Sequence, residues 1–182
     1  MIESELKIPV EGLQGIRRRL GETDAEQISH PEREVNILFD SADGRLAAAG
    51  QVLRIRRVGG RHILTFKGPA AFDGAVKQRR EIELEISSSE RLSELLHALG
   101  YAPGMRYEKD RESWKLGSAR IDLDHTPMGD FVEIEGPVHC LAAAARQLGL
   151  DPAGSVAQSY ISLWRAFRRQ HPECGRDMVF DP

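Results

Sequence analysis

The chain has 182 residues, of which 41% are hydrophobic and 29% charged, and its formal net charge is −3. That is about one domain's worth of chain with enough apolar side chains for a real core, and the slightly acidic balance argues against a main role on nucleic acid. Glu3 and Glu5 stand where a secretory leader needs a basic start and an apolar run, and nothing approaches the roughly 20 apolar residues of a membrane span. The two cysteines, Cys140 and Cys174, form neither a CxxC pair nor a zinc-like spacing, and the six histidines include no HExxH. The expectation is a cytoplasmic single-domain protein with neither nucleic acid nor a membrane as partner.

Residues 2–10 alternate apolar and charged side chains, which predicts a strand, and Pro9 marks its end. Leu13, Ile16 and Leu20 give a short helix closed by Gly21. A second strand is expected near 34–40, followed by a turn at 41–44 and a helical turn over 45–50. Residues 51–57 alternate apolar and basic, and Gly59-Gly60 predicts a hairpin into a strand at 63–67. Residues 68–74, with Pro69, read as a loop. The longest strand is expected at 76–86. Ser87 to Glu90 supply caps for a helix carrying Leu92, Leu95, Leu96 and Leu99 and ended by Gly100. Three more strands are expected near 106–116, 119–125 and 131–135, then helices over 138–148 and 156–169. The boundaries follow as one domain over 1–170 and a polar, loosely held tail over 171–182.

Charge falls on alternate strand positions. Glu3, Glu5 and Lys7 share a face, as do Arg54 and Arg56, Thr65 and Lys67, Glu83 and Glu85, Lys109 and Arg111, Asp122 and Asp124 beside Arg120, and Glu133 and Glu135. The opposite positions are largely apolar. Alternation alone fits two arrangements: a sheet with one wet face, or a barrel turned inside out around a polar cavity. Three things favour the cavity. Some strands carry acidic pairs and others basic pairs, whereas a merely solvated face mixes the signs throughout. Glutamates at i and i+2 project to one side, as a hard divalent cation requires. Arginine forks and lysines suit phosphate oxygens.

On these residues the sequence resembles the CYTH domain family of triphosphate tunnel metalloenzymes. Glu3-Ser4-Glu5-Leu6-Lys7 resembles the family's ExExK signature, and Leu38-Phe39-Asp40-Ser41 with Arg45-Leu46 its aromatic-Asp-Thr segment. Arg54 and Arg56 resemble the paired-basic strand, Lys67 the Lys-bearing strand end, residues 79–85 the central acidic strand, and Lys109-Asp110-Arg111 the KxR strand. Residues 120–124 and 129–136 resemble the closing hairpin, and Ser159-Tyr160 also fits. The resemblance covers about residues 1–169. It implies an α+β fold, an eight-stranded antiparallel β-barrel with helices packed outside. It further implies Mg²⁺ or Mn²⁺ on Glu3, Glu5, Asp122, Glu133 and Glu135, with Glu83 and Glu85 helping. Substrate phosphates are expected on Lys7, Arg54, Arg56, Lys67, Arg79, Lys109, Arg111 and Arg120, and catalysis on Glu5, Lys7 and Lys67. Leu38 replaces a tyrosine found in thiamine triphosphatases, which weighs against thiamine triphosphate, and Ser41 replaces the usual Thr.

Two activities share such a site. One is hydrolysis of inorganic or nucleoside triphosphate, in which a metal-held water attacks the terminal phosphorus in line. The other is the class IV adenylyl cyclase reaction, in which a ribose oxygen attacks the α-phosphorus of ATP and pyrophosphate leaves. A non-catalytic polyphosphate-binding module is the third reading, although a pure anion binder gains little from so many carboxylates. Hydrolysis of a small triphosphate-containing molecule is the reading adopted, with a homodimer as the default assembly.

Overall fold

The structure, a computed structural model, describes residues 2–181; the expected ends of the domain and tail at Met1 and Pro182 lie outside the described residues. In chain order the elements are β1 (Ile2–Val10), α1 (Gln14–Gly21), β2 (Glu26–Ser41), α2 (Arg45–Ala48), β3 (Val52–Val58), β4 (Arg61–Asp73), β5 (Val76–Ile86), α3 (Ser89–Ala98), β6 (Tyr101–Leu116), β7 (Ala119–Thr126), β8 (Gly129–Glu135), α4 (Val138–Gln147), a 3-10 turn at Pro152–Gly154, and α5 (Tyr160–Gln170). The strands close into a barrel in the order β1-β5-β4-β3-β2-β6-β7-β8, and every pair is antiparallel. The α+β barrel with external helices is therefore as expected.

The apolar alternate positions face outward and the helices cover them. Leu6, Ile121, Leu123, Val132 and Ile134 on β1, β7 and β8 are buried beneath Ile16 and Leu20 of α1, Leu141 of α4 and Leu148 at its C-terminal cap. On the other side Leu96 of α3 packs on Phe39 and Ile55. Each such leucine or isoleucine stabilises the fold by about 1.5–3 kcal/mol. The core thus lies between barrel and helices, which leaves the barrel's interior to the polar side chains. At Gly59-Gly60 the β3–β4 hairpin turns with φ of 53° and 78°, the left-handed pair that a tight two-residue hairpin demands.

Four expectations are corrected. Residues 68–73 continue β4 and are not a loop; the register shifts between Lys67 and Ala70, and that irregularity accommodates Pro69, which has no N–H for the ladder. β2 and β6 are 16 residues each, longer than their apolar runs, because they pair with each other well past the barrel wall. The last helix starts at Tyr160, not 156: the Ser159 side chain caps it by accepting the Ser162 N–H, while Val156 N–H donates to the carbonyl of Lys7. The tail is pinned, not loose. Met178 is fully buried, exchanges backbone bonds with Arg106 and Glu108 at 3.1 and 2.7 Å, and lies in the cluster of Tyr107, Phe131, Tyr160 and Trp164.

One seam matters for the site. β1 pairs with β5 only from Ile2 to Glu5, opposite Arg80 to Lys77. Among the described residues, Glu81 to Ile86 therefore have β4 alone beside them.

Candidate active site

The inward positions enclose a cavity of about 210 Å³ lined by nine basic and seven acidic side chains. β1 supplies Glu3, Glu5 and Lys7; β5 supplies Lys77, Arg79, Glu81 and Glu83; β3 and β4 supply Arg54, Arg56 and Lys67; β6 supplies Tyr107, Lys109 and Arg111; β7 and β8 supply Arg120, Asp122, Glu133 and Glu135. Each sits there because strand side chains alternate and the other parity is taken by the external core. All the residues expected in the site line this cavity except Glu85, which is exposed at the far end of β5, opposite Ile63. The alternation puts Glu85 on the same face as Glu83, but the strand runs past the cavity.

Cations and carboxylates interlock. Lys7 meets Glu133 at 3.2 Å, Lys67 meets Glu3 and Glu81 at 2.8 and 2.9 Å, and Lys77 meets Glu5 at 2.7 Å. Arg111 reaches Asp122 at 2.7 Å, both oxygens of Asp124 at 2.7 and 2.6 Å, and Glu133. Lys109 bonds Asp124 at 2.9 Å. Arg56 lies between Glu34 at 3.2 Å and Glu83 at 2.9 Å. Arg54 donates to the Tyr107 hydroxyl at 2.9 Å and to Thr65 at 3.1 Å. Arg79 is held by the Gly68 carbonyl at 3.0 Å, and burial lowers its pKa.

The carboxylates divide into two groups. Glu133 is buried, yet Lys7, Lys109 and Arg111 hold it well below the ordinary range. Glu34 is held down in the same way by Lys109, Arg111 and Arg56 against the cost of its burial. Around the seam the balance reverses. Burial and a hydrogen bond with Glu3 push Glu81 up to about 8, while that bond and Lys67 outweigh burial to bring Glu3 down to about 2. Glu135 is raised to about 7 by burial and by the charges of Glu3 and Asp122. Burial and like charge thus favour the protonated form of Glu81 and Glu135, while Glu3 is favoured as the carboxylate beside Lys67. Among the described residues no three or more such side chains converge as a ready-made cage for a cation. The donor set is nevertheless all carboxylate oxygen, the chemistry that Mg²⁺ and Mn²⁺ require.

Several participants are not among the residues that the sequence assigns to binding or catalysis. Lys77 and Glu81 lie on the face that the alternation of β5 defines, so parity alone could have nominated them. Glu34 and Asn36 share parity with Leu38 on β2, whose apolar residues Val35 and Ile37 to Phe39 hide the polar pair. Asp124 and Tyr160 form one unit: the Tyr160 hydroxyl donates to Asp124 at 2.6 Å, its ring lies 4.3 Å from the Lys7 ammonium, and burial and Asp124 raise its pKa. That link between α5 and β7 has no local sequence signal. Leu38, Val52 and Ile161 add an apolar patch to the lining.

A closed antiparallel barrel with a charged interior and an external apolar core defines a tunnel protein. The chain belongs to the CYTH domain family, whose model matches residues 1–160. It is similar to a Methanocaldococcus jannaschii protein named as a candidate adenylate cyclase, 29% identical over 136 residues, covering 74% of this chain and 77% of that one. The fold is shared with a Vibrio parahaemolyticus protein likewise named as a candidate adenylate cyclase, with a TM-score of 0.81 and 22% identity over 91% of this chain and 98% of that one. It is also shared with a Hippeastrum protein named as a candidate adenylyl cyclase and described as having a dominant triphosphatase activity, with a TM-score of 0.67 and 16% identity over 91% and 96%. No helix among the described residues is long and apolar enough to cross a membrane.

Proposed function

We propose that this chain is a metal-dependent triphosphatase, which binds an inorganic or nucleoside triphosphate in the tunnel and hydrolyses its terminal phosphate bond. The observation that carries this reading is the pairing, inside one cavity, of a basic wall with the clustered carboxylates Glu3, Glu81 and Glu135. Glu3, Glu5, Asp122, Glu133 and Glu135 would hold Mg²⁺ or Mn²⁺, with Glu81 beside them. When bound, such an ion polarises phosphoryl oxygens and lowers the pKa of water. The protein's own part is electrostatic. Lys7, Arg54, Arg56, Lys67, Lys109 and Arg111 draw the phosphates into line and stabilise charge on the phosphoryl oxygens as the bond to the leaving group lengthens. Glu5 orients the attacking water, and Lys7 and Lys67, freed from Glu133 and Glu3, move onto substrate oxygens. Arg79 and Arg120 stand at the margins: Arg79 is tethered to backbone, and Arg120, about half exposed, is paired with Asp122 at 2.9 Å.

The adenylyl cyclase reaction is the second reading. The relative's name favours it, as does the apolar lining at Leu38, Val52 and Ile161, which suits a purine face. One incubation separates them: purified protein with Mn²⁺ and, in separate tubes, tripolyphosphate and ATP, with products resolved by chromatography. Orthophosphate release that falls at least about 100-fold in Glu5→Gln, the scale for loss of one transition-state contact, supports the hydrolase. Cyclic AMP with pyrophosphate makes the chain a cyclase. Binding of either compound without turnover leaves a binding module and sinks the enzyme reading.

A further inference from the structure

Glu83 stands between the basic wall and the acidic cluster, with a side-chain hydrogen bond to Glu81 on the acidic side. Its Oε1 accepts hydrogen bonds from Thr65 Oγ1 at 2.8 Å, Arg56 Nη2 at 2.9 Å and Arg54 Nη2 at 3.4 Å. Two guanidiniums and a hydroxyl converging on one anionic oxygen is the donor pattern that holds a phosphoryl oxygen. The wall also has donors to spare: Arg54 Nε, Arg56 Nε and the Asn36 amide nitrogen are buried with no hydrogen-bond partner among the described residues. Two acceptors beside them, Glu34 Oε2 and Asn36 Oδ1, are likewise buried without a partner among the described residues, and a phosphoryl group with several oxygens would engage the spare guanidinium donors.

The donors are largely buried and the acceptor is not. The Arg54 and Arg56 side chains are 9% and 13% exposed, whereas Glu83 is 41% exposed. Glu83 also stands on the stretch of β5 that lacks a neighbour on the β1 side, at a gap in the wall that it lines with Glu3, Glu81 and Glu135. Its side chain can turn into that gap without breaking a ladder bond. The arginines keep partners when it does, Arg56 through Glu34 and Arg54 through Tyr107 and Thr65.

We infer that Glu83 is a displaceable stand-in for a substrate phosphate: its carboxylate occupies the Arg54–Arg56–Thr65 subsite in the free protein, and an incoming phosphoryl group takes over those donors as Glu83 swings into the gap beside β5. This rests on the proposed triphosphate site and moves Glu83 from the metal ligands to the residues that set anion affinity. Displacing it costs the ion pairs and brings like charges together, so Glu83 weakens binding in exchange for keeping the empty wall neutralised.

The test is calorimetric titration of tripolyphosphate into wild type and Glu83→Gln in EDTA, with Mn²⁺ binding to each measured separately by electron paramagnetic resonance. The expectation is tripolyphosphate binding about 10-fold tighter in Glu83→Gln, a change of about 1.4 kcal/mol, with Mn²⁺ affinity unchanged. Equal or weaker anion binding in EDTA, or a collapse of Mn²⁺ affinity, overturns the inference. Glu83→Asp keeps the charge but shortens its reach, and serves if the glutamine variant unfolds early; a smaller gain is expected from it, and no gain is equally fatal. If wild type binds tripolyphosphate and neither variant binds it more tightly, only this inference falls. If no form binds it with or without Mn²⁺, the triphosphate reading falls and takes the inference with it.

Discussion

Asp124 is the anchor of the buried charge network, and Asp124→Asn should destabilise the protein more than any exchange at the rim of the tunnel. The side chain is fully buried and accepts from Lys109 at 2.9 Å, from Arg111 at 2.7 and 2.6 Å, and from the Tyr160 hydroxyl at 2.6 Å. Removing one partner of a buried pair costs about 3–5 kcal/mol, because the charge left behind stays desolvated. Arg111 keeps Asp122 and Glu133, whereas Lys109 keeps only more distant carboxylates, Glu34 at 3.7 Å and Glu133 at 3.9 Å. The loss should therefore fall at the lower end, about 3–4 kcal/mol, or roughly 6–16 °C in thermal midpoint for a chain of this size. Tyr160→Phe removes a single contact and should cost about 1 kcal/mol. The double variant should cost less than the sum, since both changes break the same link. Urea denaturation followed by circular dichroism measures all three. A loss below about 1 kcal/mol for Asp124→Asn, or strict additivity with Tyr160→Phe, would refute the view that Asp124 neutralises this wall and ties α5 to it.

Two further outcomes are expected. In EDTA the folded chain holds protons on Glu81 and Glu135 up to about pH 8 and 7, against an ordinary value of 4.5. Their contribution to stability is then full below about pH 4.5 and lost as pH rises through 7 and 8. Glu3, lowered to about 2, and Glu34, also lowered, work the other way, losing their contribution as pH falls below 4.5. Thermal midpoints in EDTA should therefore peak near pH 5–6 and decline toward pH 8.5, with saturating Mn²⁺ removing the alkaline decline; a midpoint that climbs steadily to pH 8.5 in EDTA contradicts the protonation of Glu81 and Glu135 at the seam. Met178→Ala should cost about 2–4 kcal/mol, as expected for a fully buried methionine, and limited proteolysis should then clip the tail; a change under 0.5 kcal/mol by the same denaturation assay means the tail is not part of the folded unit.

The barrel was legible in the sequence because its signal is local. Glu3-Ser4-Glu5-Leu6-Lys7 and Arg120 to Asp124 alternate within a handful of residues, and Gly59-Gly60 announces its hairpin by the only residue type at ease with two left-handed φ values in a row. The site followed from the same parity. Parity gives a face, however, and not a height along the tunnel, so Glu85 could not be distinguished from Glu83 until the register opposite Ile63 was known. It gives nothing about contacts between distant segments either. The bond from Tyr160 to Asp124 and the burial of Met178 depend on where α5 and the tail come to rest, and no local pattern announces that. Pro69 misled for the opposite reason: it is a strong local breaker, overruled by a bulge that the long β4–β5 pairing can carry.

Lys7 lies opposite Glu133 in the ladder, so the strand that opens the chain is zipped to one made well over a hundred residues later. At roughly 5–20 residues per second, β1 leaves the ribosome and waits on the order of ten seconds for β8. During that interval Leu6 and Ile8 have neither α4 nor β8 to cover them, and Glu3, Glu5 and Lys7 have no tunnel to face. This closing pair is the least local of the barrel's strand pairings, the kind that high contact order makes slow to form. The nascent chain is at its most vulnerable to wrong partners just before it acquires an inside.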